Sequence, residues 1–258
     1  MTASPKLLEC VALVTGGATG IGRAIALLFA REGASVAVNY SRSRDAAEEV
    51  VAQIESGGGH AIAIAADVGS DGDVRDMVAR VDREFGRLDV LVNNAGWSTR
   101  IPHRELEKLT DDIWNKTLDV NLKGTFLCSR AAAPLLKRQA GASIVNIASA
   151  SGFTGNGSSI VYSAAKGGVL TMTKSLARAL APEIRVNAIA PGLIRTHFAG
   201  RADSDASFEV ETKATPMKTL ASVEDCAATA LFLAADAKST TGETIFVDGG
   251  RFTLGAAL

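Results

Sequence analysis

The chain has 258 residues, 47% hydrophobic and 21% charged, with 27 basic and 28 acidic side chains and a formal net charge of −1. That length buries a sizeable core. The charge balance excludes binding by broad phosphate neutralisation and polybasic docking on an anionic membrane, so neither nucleic acid nor membrane is an expected partner. No run of about 18 apolar residues is present to span a bilayer. The first residues lack the charged start and apolar stretch of a secretory signal, and the expected setting is cytoplasmic.

Short apolar, β-branched runs at 10–15, 35–39, 61–65, 88–92, 143–148, 184–190 and 244–247 alternate with helix-length segments. The latter lie at 22–32, 46–56, 73–85, 113–138, 160–180 and 223–236. This alternation predicts a single α/β domain, a doubly wound parallel sheet of about seven strands with helices on both faces. Consecutive apolar positions such as Ile144-Val145-Asn146-Ile147 fit strands buried on both sides. Residues 192–216 form the long irregular stretch and are expected to act as a lid. Cys10, Cys128 and Cys226 lie far apart in apolar surroundings and read as packed thiols. His60, His103 and His197 lack metal-ligand spacing, and no metal is expected.

The 25 glycines cluster rather than scatter. Thr15-Gly16-Gly17-Ala18-Thr19-Gly20-Ile21-Gly22 joins the first strand to the first helix. A phosphate group needs backbone N–H groups at a helix N-terminus with no Cβ in the way. The spacing is G-x-x-x-G-x-G and departs from the usual dinucleotide fingerprint; the loop by itself also fits a tight turn without a ligand.

Further motifs follow in order. Asn93-Asn94-Ala95-Gly96 ends the fourth strand, Asn121 lies in the long helix, and Ser149 ends the fifth strand. Tyr162 and Lys166 open the next helix four residues apart, hence on one face. A phenol ionises near pH ~10; a neighbouring ammonium favours the phenolate and eases proton exchange at neutral pH. A serine hydroxyl can hydrogen-bond an oxygen on which negative charge develops. Singly, each residue has an ordinary structural explanation. Their joint occurrence at these separations points to proton-transfer chemistry.

The ordered set, spread over about residues 8–250, resembles the short-chain dehydrogenase/reductase family. The resemblance implies a Rossmann-like fold with a nicotinamide dinucleotide held by Gly16, Ala18, Thr19, Gly20, Ile21 and Gly22. It further implies contacts from Asp67 and Val68 to adenine and from Asn94, Ala95 and Gly96 along the cofactor. Pro191, Gly192, Ile194 and Thr196 are implied beside the nicotinamide. In that family Ser149 would orient substrate, Tyr162 transfer the proton, Lys166 also hold the nicotinamide ribose, and Asn121 support a relay water. The resemblance also implies a homotetramer packed through the two long helices and the strand at 244–247, with the apolar tail at 252–258 suited to burial against a neighbour.

The end of the second strand meets the adenosine ribose in such folds. Here Asn39, Tyr40, Ser41 and Arg42 precede any carboxylate, the first being Asp45. NADP(H) is therefore expected, with Arg42 on the phosphate. NAD(H) stays the alternative, because Thr19 stands where NADP-preferring relatives often carry Lys or Arg. The expected substrate is a small-molecule carbonyl or secondary alcohol, and the chain looks most like 3-oxoacyl-carrier-protein reductases and glucose-dehydrogenase-type members. Arg130, Lys137 and Arg138 could face an acidic carrier, although Ala181-Pro182-Glu183 lacks the basic residue that carrier-protein reductases commonly present there. Trp97, Arg100, Phe153, His197 and Phe198 fall in segments bordering the pocket mouth. A reading from another class, a nucleotide-binding regulatory protein without turnover, is disfavoured by the retention of both Tyr162 and Lys166.

Overall fold

Strands β1 (Val11–Val14), β2 (Ser35–Tyr40), β3 (Ala61–Ala65), β4 (Val90–Asn93), β5 (Ala142–Ile147), β6 (Ile184–Pro191) and β7 (Thr244–Val247) pair in parallel. They form one seven-stranded sheet in the order β3-β2-β1-β4-β5-β6-β7. The computed structural model describes residues 4–195 and 205–255, the side chains of 205–207 excepted. Thr196, His197 and Phe198 lie outside the described residues.

The near-continuous apolar strands feed two cores, because successive side chains leave a strand on opposite faces. Val14, Val36 and Val38 join Ile25, Phe29, Val50 and Leu233 on one face. Leu13, Leu91 and Ile144 join Met77, Val81, Leu127 and Leu136 on the other. The first face is covered by α1 (Gly20–Arg31), α2 (Arg44–Ser56) and α9 (Val223–Leu231). The second is covered by α3 (Asp71–Phe85), α5 (Gly124–Leu136) and α7 (Ile160–Leu180). The doubly wound α/β architecture read from the sequence is the one observed. Strand order reverses between β1 and β4, and a crevice opens beyond the carboxyl ends of the strands at such a point.

Two elements differ from expectation. The helix expected over 113–138 runs as α4 (Asp111–Leu118), a π-helical segment at Asp119–Lys123, and α5. Periodicity does not reveal one inserted residue in an otherwise helical run; such π-bulges favour functional sites. The stretch expected to be irregular contains α8 (Asp205–Ala214). Its helix is anchored by buried Phe208, and its mixed charge hid the pattern. Cys128 and Cys226 are buried as expected, whereas Cys10 is partly exposed, and all are free thiols.

A short helix, α6 (Ser151–Thr154), lies backbone to backbone on α7. A Cβ on Gly152 would stand 2.7 Å from Gly167 N and from Lys166 C. Nothing but a bare Cα fits that crossing. Gly152→Ala is expected to push α6 off α7 and lower the thermal midpoint, at a cost of about 1–3 kcal/mol; an unchanged midpoint by calorimetry contradicts the crossing.

Candidate active site

The glycine loop is pinned by three polar side chains from neighbouring strands. Thr15 Oγ1 donates to Val92 O (3.2 Å) and accepts from Asn94 N (2.9 Å) and Ala95 N (3.0 Å). Asn94 Nδ2 donates to the carbonyls of Thr15 (3.0 Å) and Gly16 (2.9 Å). Asn39 Oδ1 accepts from Gly16 N at 3.1 Å while its Nδ2 donates to Ala66 O at 3.1 Å. The amides of Asn39 and Asn94 are thus committed to the loop itself, a use that their expected place in the cofactor site did not reveal. Gly16 has φ +59°, and a Cβ there would lie 2.9 Å from Ala95 Cα. On Gly22 a Cβ would meet Gly16 O at 2.3 Å, so this glycine seats the first turn of α1 on the loop.

Thr19 caps α1 without a side-chain hydrogen bond, and the first turn holds no acidic residue. The helix therefore presents free N–H groups and the positive end of its dipole to the crevice. That donor set fits the pyrophosphate of a dinucleotide.

A cleft of about 2150 Å³ runs along the carboxyl ends of the strands, larger than the ~300–1,000 Å³ of a single small-ligand pocket. Gly16, Ala18, Thr19, Gly20 and Ile21 line it at the loop, and Asn39, Tyr40, Ser41, Arg42, Asp67 and Val68 at β2 and β3. Asn94, Ala95 and Gly96 line its middle, and Ser149, Tyr162, Lys166, Pro191, Gly192 and Ile194 the region of β5, α7 and β6. Gly22 and Asn121 stand outside its lining, while Thr196 is beyond the described residues. Arg42 is exposed and forms no ion pair among the described residues, whereas Arg44 is paired with Glu48 at 3.7 Å.

At the catalytic end, Ser159 caps α7 by accepting from Tyr162 N at 3.3 Å. Lys166 is 4% exposed, and its Nζ donates to Ile147 O, the last residue of β5, at 2.7 Å. Burial draws its pKa down to about 8. The Tyr162 phenol is pushed up to about 12 by burial, against the opposing effect of a hydrogen bond from Ser149. Lys166 Nζ stands 5.8 Å from the Tyr162 ring centroid. With the protein's own groups alone, burial therefore outweighs the ammonium effect expected from the i, i+4 spacing. A further positive charge in the cleft acts in the opposite direction.

Asn121 sits in the π segment, wholly buried. Its Nδ2 donates to Trp97 O (2.6 Å) and Thr117 O (2.8 Å), and its Oδ1 has no partner among the described residues. This amide holds the loop after β4 against α4. Sequence reasoning missed Ser151, whose hydroxyl donates to Ser149 Oγ at 2.9 Å; a second serine two positions on was its one visible trace. It also missed a buried chain in which Asn93 Nδ2 donates to Asn146 Oδ1 (2.9 Å) and Asn146 Nδ2 to Thr173 Oγ1 (2.9 Å). Of the basic residues considered for a carrier, Arg130 is engaged with Asp71 and Arg138 with Asp82. Trp97 and Arg100 line the cleft, but Phe153 packs in an aromatic group with Phe246 (4.6 Å) and Phe252 (5.0 Å) beside it.

The family model described as enoyl-(acyl carrier protein) reductase matches residues 16–251. The 3-oxoacyl-[acyl-carrier-protein] reductase FabG of Staphylococcus epidermidis is 42% identical over 243 residues, covering 93% of this chain and 98% of its own. The protein of that name from Staphylococcus aureus is 43% identical, covering 93% and 97%. A crystal structure from Burkholderia xenovorans, assigned to the short-chain dehydrogenase/reductases, superposes with a TM-score of 0.89 at 40% identity, covering 95% and 98%. The chain belongs to the short-chain dehydrogenase/reductase family. It is an oxidoreductase acting on carbonyl or alcohol groups.

The buried lysine makes stability depend on pH. Between about 8, its value in the fold, and the ordinary 10.5, the unfolded chain binds the extra proton. Stability therefore rises across that window, by about 3 kcal/mol from this group. Below it both states are protonated and the burial penalty stands in full. Lys166→Met is expected to remove that rise in denaturant titrations of the protein alone; a variant with the wild-type slope between these pH values contradicts the burial of the ammonium.

Proposed function

We propose that the protein is an NADP(H)-dependent reductase of 3-oxoacyl thioesters, its acyl chain delivered on an acidic carrier protein. The observation that carries this reading is the Tyr162 phenol, one helical turn from buried Lys166 and together with Ser149 in the cleft that begins at the open N-terminus of α1. When bound, the nicotinamide supplies or accepts the hydride. Tyr162 gives its phenolic proton to the carbonyl oxygen during reduction and takes it back during oxidation. Ser149 hydrogen-bonds that oxygen as negative charge develops on it. Lys166, fixed by the Ile147 carbonyl, places a positive charge beside the phenolate. Asn121 acts through position, holding the Trp97 carbonyl and hence the cleft wall.

The activity for which the two staphylococcal relatives are named supports a 3-oxoacyl substrate. The family model's description names an enoyl bond instead. A hydroxyl pair aimed at an oxygen suits a carbonyl better than a carbon–carbon double bond. The absence of a carboxylate from Asn39 to Arg44, with Arg42 exposed on the cleft, supports NADP(H) over NAD(H). Exposed Trp114, Phe126 and Ile160 on α4, α5 and α7 support assembly through these helices into a homotetramer.

With acetoacetyl thioester and NADPH, Tyr162→Phe is expected to lower kcat/KM by about 10²–10⁴ with NADPH affinity retained. Undiminished turnover overturns the mechanism. Arg42→Ala is expected to weaken NADPH binding about 10-fold to 100-fold, the worth of a charged hydrogen bond, and to leave NADH binding as it was. Equal effects on both nucleotides overturn the cofactor assignment.

A further inference from the structure

Ser151 stands two residues beyond Ser149, at the start of α6, and is 6% exposed. Its hydroxyl donates to Ser149 Oγ at 2.9 Å, and its backbone N–H reaches the same oxygen at 3.2 Å. Its place is enforced from two directions. The Gly152 crossing fixes α6 on α7, and a Cβ on Gly157 would come within 3.0 Å of Ser151 Cβ.

A hydroxyl oxygen has two lone pairs and one proton. With both lone pairs of Ser149 occupied by Ser151, the proton is what Ser149 has left to offer, and Tyr162, whose phenol pKa Ser149 draws down, stands with it in the same cleft. We propose that Ser151 is a positioning residue, which donates to Ser149 and thereby aims the Ser149 proton at the Tyr162 oxygen and the reacting oxygen of the substrate. The inference rests on the reduction proposed above and adds to it a residue outside the Ser149, Tyr162 and Lys166 set. Each donation in the chain Ser151 to Ser149 to Tyr162 polarises the next, which stabilises the phenolate.

Loss of the Ser151 hydroxyl frees a lone pair on Ser149 and releases its proton from one direction. The phenol then ionises at higher pH. In the direction of alcohol oxidation Tyr162 must be ionised to take up a proton, so the rising limb of the rate moves to higher pH. On α7 the charged group near Tyr162 is Lys166. Around the same cleft stand Lys116 on α4, Arg100 after β4, Arg195 after β6, Glu211 on α8, and Asp248 and Arg251 after β7. None of them is altered by substitution at Ser151.

Three variants test the inference: Ser151→Ala, Ser151→Cys, which keeps the volume but is a weak donor, and Ser151→Thr, which keeps the hydroxyl. The Ala and Cys variants are expected to move the rising limb of kcat for alcohol oxidation to higher pH by about half a unit, a loss of about threefold below the limb, with the KM for NADP unchanged. The Thr variant restores the profile. The chain has only two tyrosines, Tyr40 and Tyr162, so a protein labelled at tyrosine 13Cζ gives two resonances, assigned with Tyr162→Phe. The Tyr162 resonance is expected to titrate at higher pH in the Ala and Cys variants while that of Tyr40 stays in place. An unmoved Tyr162 resonance in both variants overturns the positioning role, whatever the substrate. A displaced resonance in an enzyme that reduces no 3-oxoacyl thioester upholds it and overturns the substrate assignment instead.

Discussion

The hydrogen bond from Lys166 Nζ to the Ile147 carbonyl is the constraint on which the rest of the site depends. It joins α7 to the last residue of β5, two positions before Ser149. An ammonium taken out of water is costly unless held, and here the holding group is a strand-end carbonyl whose place the sheet dictates. Lys166 therefore stays where Tyr162, one turn earlier, shares its face. The backbone contact of Gly152 on Gly167 closes the same corner from the other side. Strand end, short helix and long helix are thus fixed to one another at the point where proton transfer takes place.

The nucleotide half of the cleft is built by a different means. There the chain must keep N–H groups unspent, so the loop is stiffened from behind. Asn39 and Asn94 satisfy the backbone of Thr15 and Gly16 on the sheet side, and Thr15 Oγ1 accepts from the N–H groups of Asn94 and Ala95, leaving the N-terminus of α1 facing the crevice. The two halves lie along the carboxyl ends of the strands on either side of the point where the strand order reverses, which allows a hydride donor and a proton donor to reach the carbon and the oxygen of one carbonyl.

Much of this was legible in the sequence because its carriers are periodic or paired. Apolar strands alternating with amphipathic helices gave the sheet and its two cores, and Tyr162 with Lys166 showed a shared helix face. The π segment at Asn121 was not legible, since one inserted residue leaves the helical pattern nearly intact. Helix α8 escaped because, among its described side chains, Phe208 alone is buried, in a stretch of mixed charge. The engagement of Asn39 and Asn94 with the loop was hidden as well: an amide's partners depend on which strands the fold makes neighbours. For the same reason the link from Ser151 to Ser149 is visible only in the fold, where α6 turns the Ser151 hydroxyl back onto Ser149.

The most direct test of the account is NADPH consumption measured side by side with a 3-oxoacyl thioester and the 2-enoyl thioester of the same chain length. A site that places the hydroxyls of Ser149 and Tyr162 around one oxygen predicts reduction of the 3-oxo compound and no turnover of the enoyl compound. Reduction of the enoyl thioester with the 3-oxo compound left untouched contradicts it.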